Sequence, residues 1–465
     1  MTDENRAATV RPAVDAVLFH HTPSGASGAD STPASLTIAI IGSGPSGCYA
    51  AQLLIKKWPL ASITIFESLP TPYGLVRYGV AADHQGTKNV TRQFDRIFVR
   101  DGVRFAGNVT IGTDVDFSVL AANFDIVVLA TGLPRDRPLG IPQDDAARVV
   151  GAGALLRALN GHPVRSLPRD PEGRCLPLGR QLLVVGMGNV AIDVLRLMSK
   201  APEHLRGSDI DDELLDRLRP VTPLTVDVIS RSPAPRSKCD LAMLKELLAL
   251  PDIEVEVTGL TDLDDGPIAD LLRPYAAPTN TVPPGPGRSR TRVRLHFGLV
   301  PQEISGRDGR TVLTARRLSA DPEEVGFVVE TVITAVGFTA GDHHDRCSPS
   351  EEWSGSHVYR VGWLNRGAVG AIAENRKDAQ RVVEAIGNDV AAGRITTGRP
   401  GFVAAQRLLS DVVSFSDWQR IEAYERQSAG PDRCRRKISS VWEMLAIASG
   451  SATPCAAPND RKAGV

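Results

Sequence analysis

Leu36-Thr-Ile-Ala-Ile-Ile-Gly-Ser-Gly-Pro-Ser-Gly47 opens on a short, continuous apolar run and closes on three glycines. The run predicts a buried parallel strand over Leu36 to Ile41. Gly42, Gly44 and Gly47 let the chain turn tightly and let backbone N–H groups approach a pyrophosphate. The stretch from Cys48 to Trp58 reads as the succeeding helix. A helix N-terminus there brings partial positive charge toward phosphates. A second strand, Ser62 to Phe66, ends at Glu67, about 20 residues beyond Gly47. A carboxylate at that place can accept hydrogen bonds from both hydroxyls of a ribose. Strand, glycine turn, helix, strand and acid together predict a dinucleotide site. The plainer alternative is an apolar strand with an incidental turn.

The same order recurs further on. Gln181 to Val185 predicts a strand, Gly186-Met-Gly188-Asn189-Val190-Ala191 its turn, and a helix runs to about Ser199. Ala191 takes the third glycine place, where alanine is accepted. The next strand, Thr225 to Ile229, ends in Ser230-Arg231 instead of an acid. An acid would repel a 2′-phosphate and an arginine attracts one, so this turn predicts NADPH. The alternative is an arginine solvated on a loop. Two sites imply two dinucleotides, FAD at the first and NADPH at the second. A flavin beside a nicotinamide implies hydride transfer from C4 of the nicotinamide to N5 of the isoalloxazine. The cofactors carry that chemistry, and the protein supplies alignment and electrostatics.

The rest of the chain bounds this reading. Its 465 residues suggest two to three domains at about 150 residues each. Lys plus Arg, 53, nearly cancels Asp plus Glu, 54, which argues against a dedicated nucleic-acid binder. No apolar run approaches the roughly 18–20 residues of a membrane helix. Cys48, Cys175, Cys239, Cys347, Cys434 and Cys455 form no CxxC or CxxxxC. Neither a local redox dithiol nor the usual zinc or iron–sulfur spacing is therefore expected, and reduced thiols in a cytoplasmic protein are. Residues 1 to 35 read as a disordered leader, because Thr22 to Ser35 is almost wholly small and polar. It has neither the apolar core of a secretory signal nor the acid-poor composition of a mitochondrial presequence.

Other stretches read locally. Phe124 to Ala130 predicts a strand ending in Thr131-Gly132. Ala201 to Pro220 reads as a polar insert and Pro278 to Arg290 as a surface loop. Gly298 to Arg317 reads as hairpins, Thr331 to Val336 as a strand, and Asp378 to about Glu384 as a helix, with fraying expected after Gly450. Met243, Leu244 and Leu247 read as a core stripe. Arg288, Arg290, Arg292 and Arg294 would line one strand face. That stripe and Arg433-Cys-Arg-Arg-Lys437 read as solvated basic edges, with docking of an acidic partner as the alternative.

Several segments together resemble one family, the adrenodoxin reductase-like ferredoxin–NADP reductases. They are Ile40 to Gly47, Pro72-Tyr-Gly-Leu-Val-Arg-Tyr-Gly-Val-Ala81 with Asp83-His84, Gly107-Asn-Val109, and Gly188-Asn-Val-Ala-Ile-Asp193. Pro202-Glu-His-Leu205, Gly362-Trp363 with Arg366-Gly367, and Ser414-Phe-Ser-Asp-Trp418 complete the set. The resemblance runs from about Leu36 to Ile447. It implies an α/β fold of two Rossmann-like dinucleotide-binding domains, glutathione reductase-like. The FAD-binding domain, 36–135 and 338–465, is then split by an NAD(P)H-binding domain, 136–337.

By position the resemblance implies FAD contacts at Ser46, Glu67, Leu75, Val109, Trp363, Gly370, Ala371 and Ile372, beside Gly42, Gly44, Gly47, Thr131 and Gly132. It implies NADP contacts at Gly186, Gly188, Asn189, Val190, Ala191, Arg231, Ser232 and Gly370. His84 and Glu246 would lie by the flavin and nicotinamide and tune the site without acting as an essential acid–base pair. Electrons would pass singly to a ferredoxin-type iron–sulfur protein that serves a cytochrome P450 or other oxygenase. The alternatives are a self-contained FAD-dependent oxidase or monooxygenase of a small molecule, and a non-catalytic nucleotide-binding scaffold.

The chain departs from the family at named places. Ser232 replaces one of two arginines that grip the 2′-phosphate, and Met243 replaces a glutamate that holds the adenosine ribose. A charged hydrogen bond is worth roughly 1.5–3 kcal/mol, so one loss would lower the NADPH preference about 10- to 100-fold. NADH use stands as the alternative unless Arg236 or Lys238 compensates. Ala82, Asn365 and Ala368-Val369 also depart near the flavin, which points to an acceptor other than an ordinary ferredoxin or to a specialised pathway enzyme.

Overall fold

A computed structural model describes residues 35–276, 290–319, 323–340 and 353–451. The expected leader (except Ser35), the loop at 278–290 (except Arg290), Arg288, Cys347, Cys455 and the tail beyond Ser451 lie outside the described residues.

Two parallel sheets organise the chain. The first runs Val358–Arg360, Ile126–Leu129, Thr37–Ile41, Ser62–Phe66 and Arg104–Ala106, neighbour to neighbour. Ile38 stands opposite Ile63 on one side and Ile126 on the other. The central strand is thus paired along both edges, and the packing on both of its faces is why it reads as unbroken apolar sequence. The helix Pro45–Lys57 and the helix Ile372–Ala391 cover one face through Ala50, Leu54, Ala379, Val383 and Ile386. Phe66, Phe124, Leu129 and Phe402 fill the other.

The second sheet runs Val149–Gly151, Thr331–Thr334, Gln181–Val185, Thr225–Ser230, Thr291–Phe297 and Ile253–Thr258, again all parallel. An antiparallel sheet of Leu299–Arg307, Arg310–Arg317 and Glu324–Val329 packs beside it through Ile304, Leu313 and Val329. The chain leaves the first sheet after Leu129, builds the second, and returns to add Val358–Arg360. The α/β class and the paired dinucleotide-type sheets are those expected.

Three local expectations differ from the structure. The helix expected at Asp378 to Glu384 spans Ile372–Ala391. Its charged outer face hid the stripe Ala379, Val382, Val383 and Ile386, all buried. The polar insert at 201–220 holds a 3-10 turn, Pro202–Leu205, and a helix, Asp212–Leu218, whose Leu214, Leu215 and Leu218 are buried. Asp211 caps that helix by accepting from Leu214 N. The basic edges are not free. Arg292 Nε lies 3.4 Å from Glu256 and Arg294 Nη2 2.6 Å from Asp227, carboxylates on the flanking strands. Arg433 pairs with Asp212 at 2.6 Å, Arg435 with Glu422 at 3.0 Å and Lys437 with Asp209 at 2.9 Å. Leu244 and Leu247 are core, as expected, and Met243 packs against them at the margin.

Candidate active site

The first glycine turn divides its glycines by task. At Gly42, φ is 107° and a Cβ would fall 2.5 Å from Ala130 O. A Cβ on Gly47 would collide with Gly42 O. Both glycines close the strand–helix packing. Gly44 differs, since no atom lies within 4 Å of its Cβ position. It faces an open cradle at the head of the helix Pro45–Lys57. No side chain caps that helix, so its first N–H groups are open to a phosphate.

Glu67 is pinned at the end of the adjoining strand. Ser43 N and Oγ donate to Oε2 at 3.1 and 2.6 Å, and Ser68 Oγ and Leu69 N donate to Oε1 at 3.1 and 3.2 Å. The two hydroxyls are rotors that can yield their places to ribose hydroxyls. Tyr73 and Gly74 wall the turn. Tyr73 N donates to Ser43 O at 3.2 Å, and a Cβ on Gly74 would stand 3.1 Å from Gly44 Cα. Tyr73 holds a φ of 82°, a strained value for a bulky residue. Its hydroxyl donates to Asp95, and its ring lies among Phe94 and Trp418. Leu75 opens the short helix Leu75–Tyr78.

The other expected FAD contacts gather at the same sheet edge. Val109 N donates to Glu67 O at 2.8 Å. Ser46 Oγ lies 3.2 Å from Asn375 Oδ1, and Arg366 Nη2 donates to the same oxygen at 2.8 Å. Gly362 N donates to Asp378 at 2.5 Å. These bonds hold the 362–372 segment against the first glycine turn. Gly370 and Ala371 sit at the uncapped start of the helix that begins at Ile372. Thr131 Oγ1 and Trp363 Nε1 are buried with no hydrogen-bond partner. Trp363 stacks on Phe338 with ring centres 5.4 Å apart. Buried orphans are rare and call for a partner. An open cradle and two waiting polar groups fit a bound FAD.

The second turn repeats this division. Gly186 has a φ of 119°, and a Cβ there would collide with Ala335 O. Gly188 is open, like Gly44. Ala191 is fully buried, and no side chain caps the helix Asn189–Ser199. Val190 packs at the core margin. Arg231 is exposed just beyond the strand end, and Ser232 O accepts from Ser230 Oγ at 2.9 Å.

His84, carried by the chain of the first sheet, meets a cluster from the second. Its Nε2 lies 3.2 Å from Glu246 Oε2, which joins the two expected tuning residues. Arg196 donates from Nη1 to the same ring. The ring's Nδ1 faces Asp193 Oδ1 at 3.5 Å. Asp193 also lies 3.1 Å from Arg196, and Asp83 binds Arg196 at 2.5 Å and Lys200 at 2.6 Å. Burial, helped by the Arg196 charge, holds the imidazole below its usual pKa. Burial pushes the Asp193 carboxyl up to about 7, with Arg196 opposing and Asp83 and Glu246 adding to the rise. Burial also disfavours ionised Asp83, but Arg196 and Lys200 outweigh it and hold that carboxyl below the usual range. Sequence reasoning did not select Ser43, Asp83, Asp193, Arg196 or Lys200 for roles. Asp193 and Arg196 had left a signal: charges three apart within an otherwise apolar helical stretch.

A cleft of about 930 Å³ lies between Arg165–Cys175 and Arg433–Ser439. It is lined by none of the expected cofactor residues.

No protein-family model matches the chain. It is 40% identical over 430 residues to cindoxin reductase of Citrobacter braakii, covering 89% of this chain and 91% of that protein. It is 31% identical over 455 residues to the mitochondrial NADPH:adrenodoxin oxidoreductase of Mus musculus, covering 88% and 91%. NADPH-ferredoxin reductase FprA of Mycobacterium tuberculosis is 31% identical over 465 residues, covering 89% and 99%. The solved structure of that organism's FprA in complex with NADPH matches with a TM-score of 0.77 at 29% identity, over 90% of this chain and 100% of that one.

Proposed function

The chain belongs to the adrenodoxin reductase-like ferredoxin–NADP reductases, and from that premise we propose how its residues divide the work. It takes reducing equivalents from NADPH in pairs and releases them singly to a ferredoxin-type iron–sulfur protein. The observation that supports this most is the pairing of two open cradles, Gly44 and Gly188, on separate parallel sheets that meet at His84 and Arg196. FAD, when bound, supplies the conversion between two-electron and one-electron chemistry.

The chain's own residues orient and exclude. We assign the FAD-binding domain to 36–135 and 338–465 and the NAD(P)H-binding domain to 136–337. The 42–47 turn holds the FAD pyrophosphate and Glu67 the ribose. Thr131 Oγ1 and Trp363 Nε1 find their partners on the flavin. The 186–191 turn holds the NADPH pyrophosphate. His84 and Glu246 stand beside the reacting rings, with Arg196 as the positioning residue behind them.

The sequence offers no CxxC or CxxxxC, so the iron–sulfur centre is assigned to the partner. A specialised acceptor fits the departures at Ala82, Asn365 and Ala368-Val369, with onward delivery to a cytochrome P450 or other oxygenase. No helix among the described residues is long and apolar enough to cross a membrane. A cytoplasmic location is proposed from the scattered cysteines.

Anaerobic titration tests the function. The purified protein should show an oxidised flavin spectrum that NADPH bleaches, and cytochrome reduction should then require added ferredoxin. Bleaching that reverses only with oxygen, coupled to turnover of a small molecule, would favour the oxidase instead. A colourless protein would favour the scaffold.

Asp193 adds a pH dependence. As pH rises through about 7 its carboxyl ionises, placing negative charge by the positively charged nicotinamide of NADP+. NADP+ should bind more tightly above that pH than below, by up to about tenfold. Asp193→Asn should flatten the profile, as read by flavin absorbance on titration with NADP+. An unchanged profile would assign the titration to another group.

A further inference from the structure

The strand Thr225–Ser230 leaves the second sheet at Arg231. There the chain makes a tight return: Arg236 N donates to Pro233 O at 3.0 Å, and Ser237 N to Ala234 O at 3.1 Å. It then runs beside the second glycine turn. Lys238 forms a parallel bridge with Gly188, and Asp240 N donates to Asn189 Oδ1 at 2.6 Å. Cys239, between them, is buried. The backbone of Lys238 is thus fixed beside the one glycine of this turn whose Cβ position is open on the helix head.

Arg231, Arg236 and Lys238 therefore belong to one short return around the head of the helix Asn189–Ser199. All three are exposed, and among the described residues none has an ion pair or a side-chain hydrogen bond. On the neighbouring strand, by contrast, Arg292 is matched by Glu256 and Arg294 by Asp227. The nearby acids are committed. Asp240 caps the helix Leu241–Leu248, and Glu246 faces His84 and Arg196. Three uncompensated cations on one return repel each other and favour an anion among them.

We propose that Lys238 supplies the second positive charge of the 2′-phosphate clamp, opposite Arg231 and flanked by Arg236, and so keeps the chain selective for NADPH although Ser232 stands in an arginine's place. This rests on the second turn being the NADPH site and names the residues that select its cofactor. An ammonium suits the task, because it binds phosphate as a point charge and needs no planar match.

Binding of 2′,5′-ADP and of 5′-AMP to the flavin-loaded protein, each by calorimetry, reads the clamp without turnover. The native chain should prefer 2′,5′-ADP, and raising salt should erode that preference. Lys238→Ala should weaken 2′,5′-ADP about tenfold or more and 5′-AMP less than about twofold. Lys238→Arg should keep the discrimination, and Lys238→Glu should abolish it. The side chain is exposed, so flavin content and melting should match the native protein. An unchanged ratio in Lys238→Ala overturns the proposal, even if Arg231→Ala or Arg236→Ala lowers it. A native protein that binds both ligands equally overturns it too, with the nucleotide reading intact. A yellow protein that binds neither overturns the proposal together with that reading.

Discussion

Gly44→Val should yield a folded but colourless protein. The three glycines of the first turn face different surroundings. Gly42 and Gly47 face backbone, so side chains there would disturb the fold itself. Gly44 has a φ of −64°, which any residue adopts, and nothing within 4 Å of its Cβ position. The Cβ of a valine there meets no protein atom, so the strand and helix should form as before. Its two methyl groups instead enter the cradle where a pyrophosphate must approach backbone N–H groups closely. Flavin content should fall at least about twentyfold, and NADPH-dependent reduction of the acceptor should fall with it. Circular dichroism and melting should match those of the native chain stripped of flavin. A yellow variant with one flavin per chain would remove this turn from the FAD site. A variant that does not fold would show that Gly44 packs, against the geometry.

That contrast among three glycines of one motif also marks what the sequence could tell. The spacing predicted the turn, because buried parallel strands leave continuous apolar runs and the glycines come directly after. It did not say which glycine faces backbone and which faces a ligand, since Ala130 lies far along the chain. The helix at 372–391 was read at only part of its length because Arg376, Lys377, Arg381 and Glu384 diluted the apolar stripe. The Arg433–Lys437 run reads as a solvated edge because local charge density carries no record of partners. Arg433 finds Asp212 221 positions away. The cluster around His84 is the same case. His84 and Glu246 came from the resemblance alone, and nothing in the local sequence ties position 84 to 193, 196 or 246. Sequence patterns reported each element, and the pairing of charges across elements had to be read from the fold.

The largest effect on stability should come from Asp209→Ala, where two ammonium groups share one carboxylate. Lys88 Nζ lies 2.7 Å from Asp209 Oδ1 and Lys437 Nζ 2.9 Å from Oδ2. Asn160 Oδ1 accepts from both lysines, at 2.5 and 3.0 Å, and Arg77 O accepts from Lys437 at 3.0 Å. The three charged side chains are at most 8% exposed. Lys88 belongs to the chain of the first sheet, Asn160 and Asp209 to that of the second, and Lys437 to the returning segment, so the cluster ties all three. Burial opposes the Asp209 charge, but Lys437 and Lys88 outweigh it and hold the carboxyl well below its usual range. Burial pulls both lysines down, Lys437 far below its ordinary value. Removing one partner of a buried pair costs about 3–5 kcal/mol, and here the removal strands two cations. The loss should reach at least that range, as read by denaturant unfolding. Asp209 has a depressed folded pKa, so its contribution is present above the unfolded value, about 3.9, and is lost as pH falls through the folded one. The native protein should therefore lose stability in strong acid more steeply than the variant. The lysines act with the same sign, at high pH. Their folded pKa values are lowered, so the unfolded chain binds more protons and stability rises with pH toward about 10. That rise should be steeper in Asp209→Ala, where no carboxylate supports the charges. Lys437→Met should cost less, because it leaves Lys88 and Asp209 as a one-to-one pair. Asp209→Ala with native stability would mean that the carboxylate does not hold the cluster, and a flat alkaline profile that the lysines keep their unfolded pKa values in the folded protein.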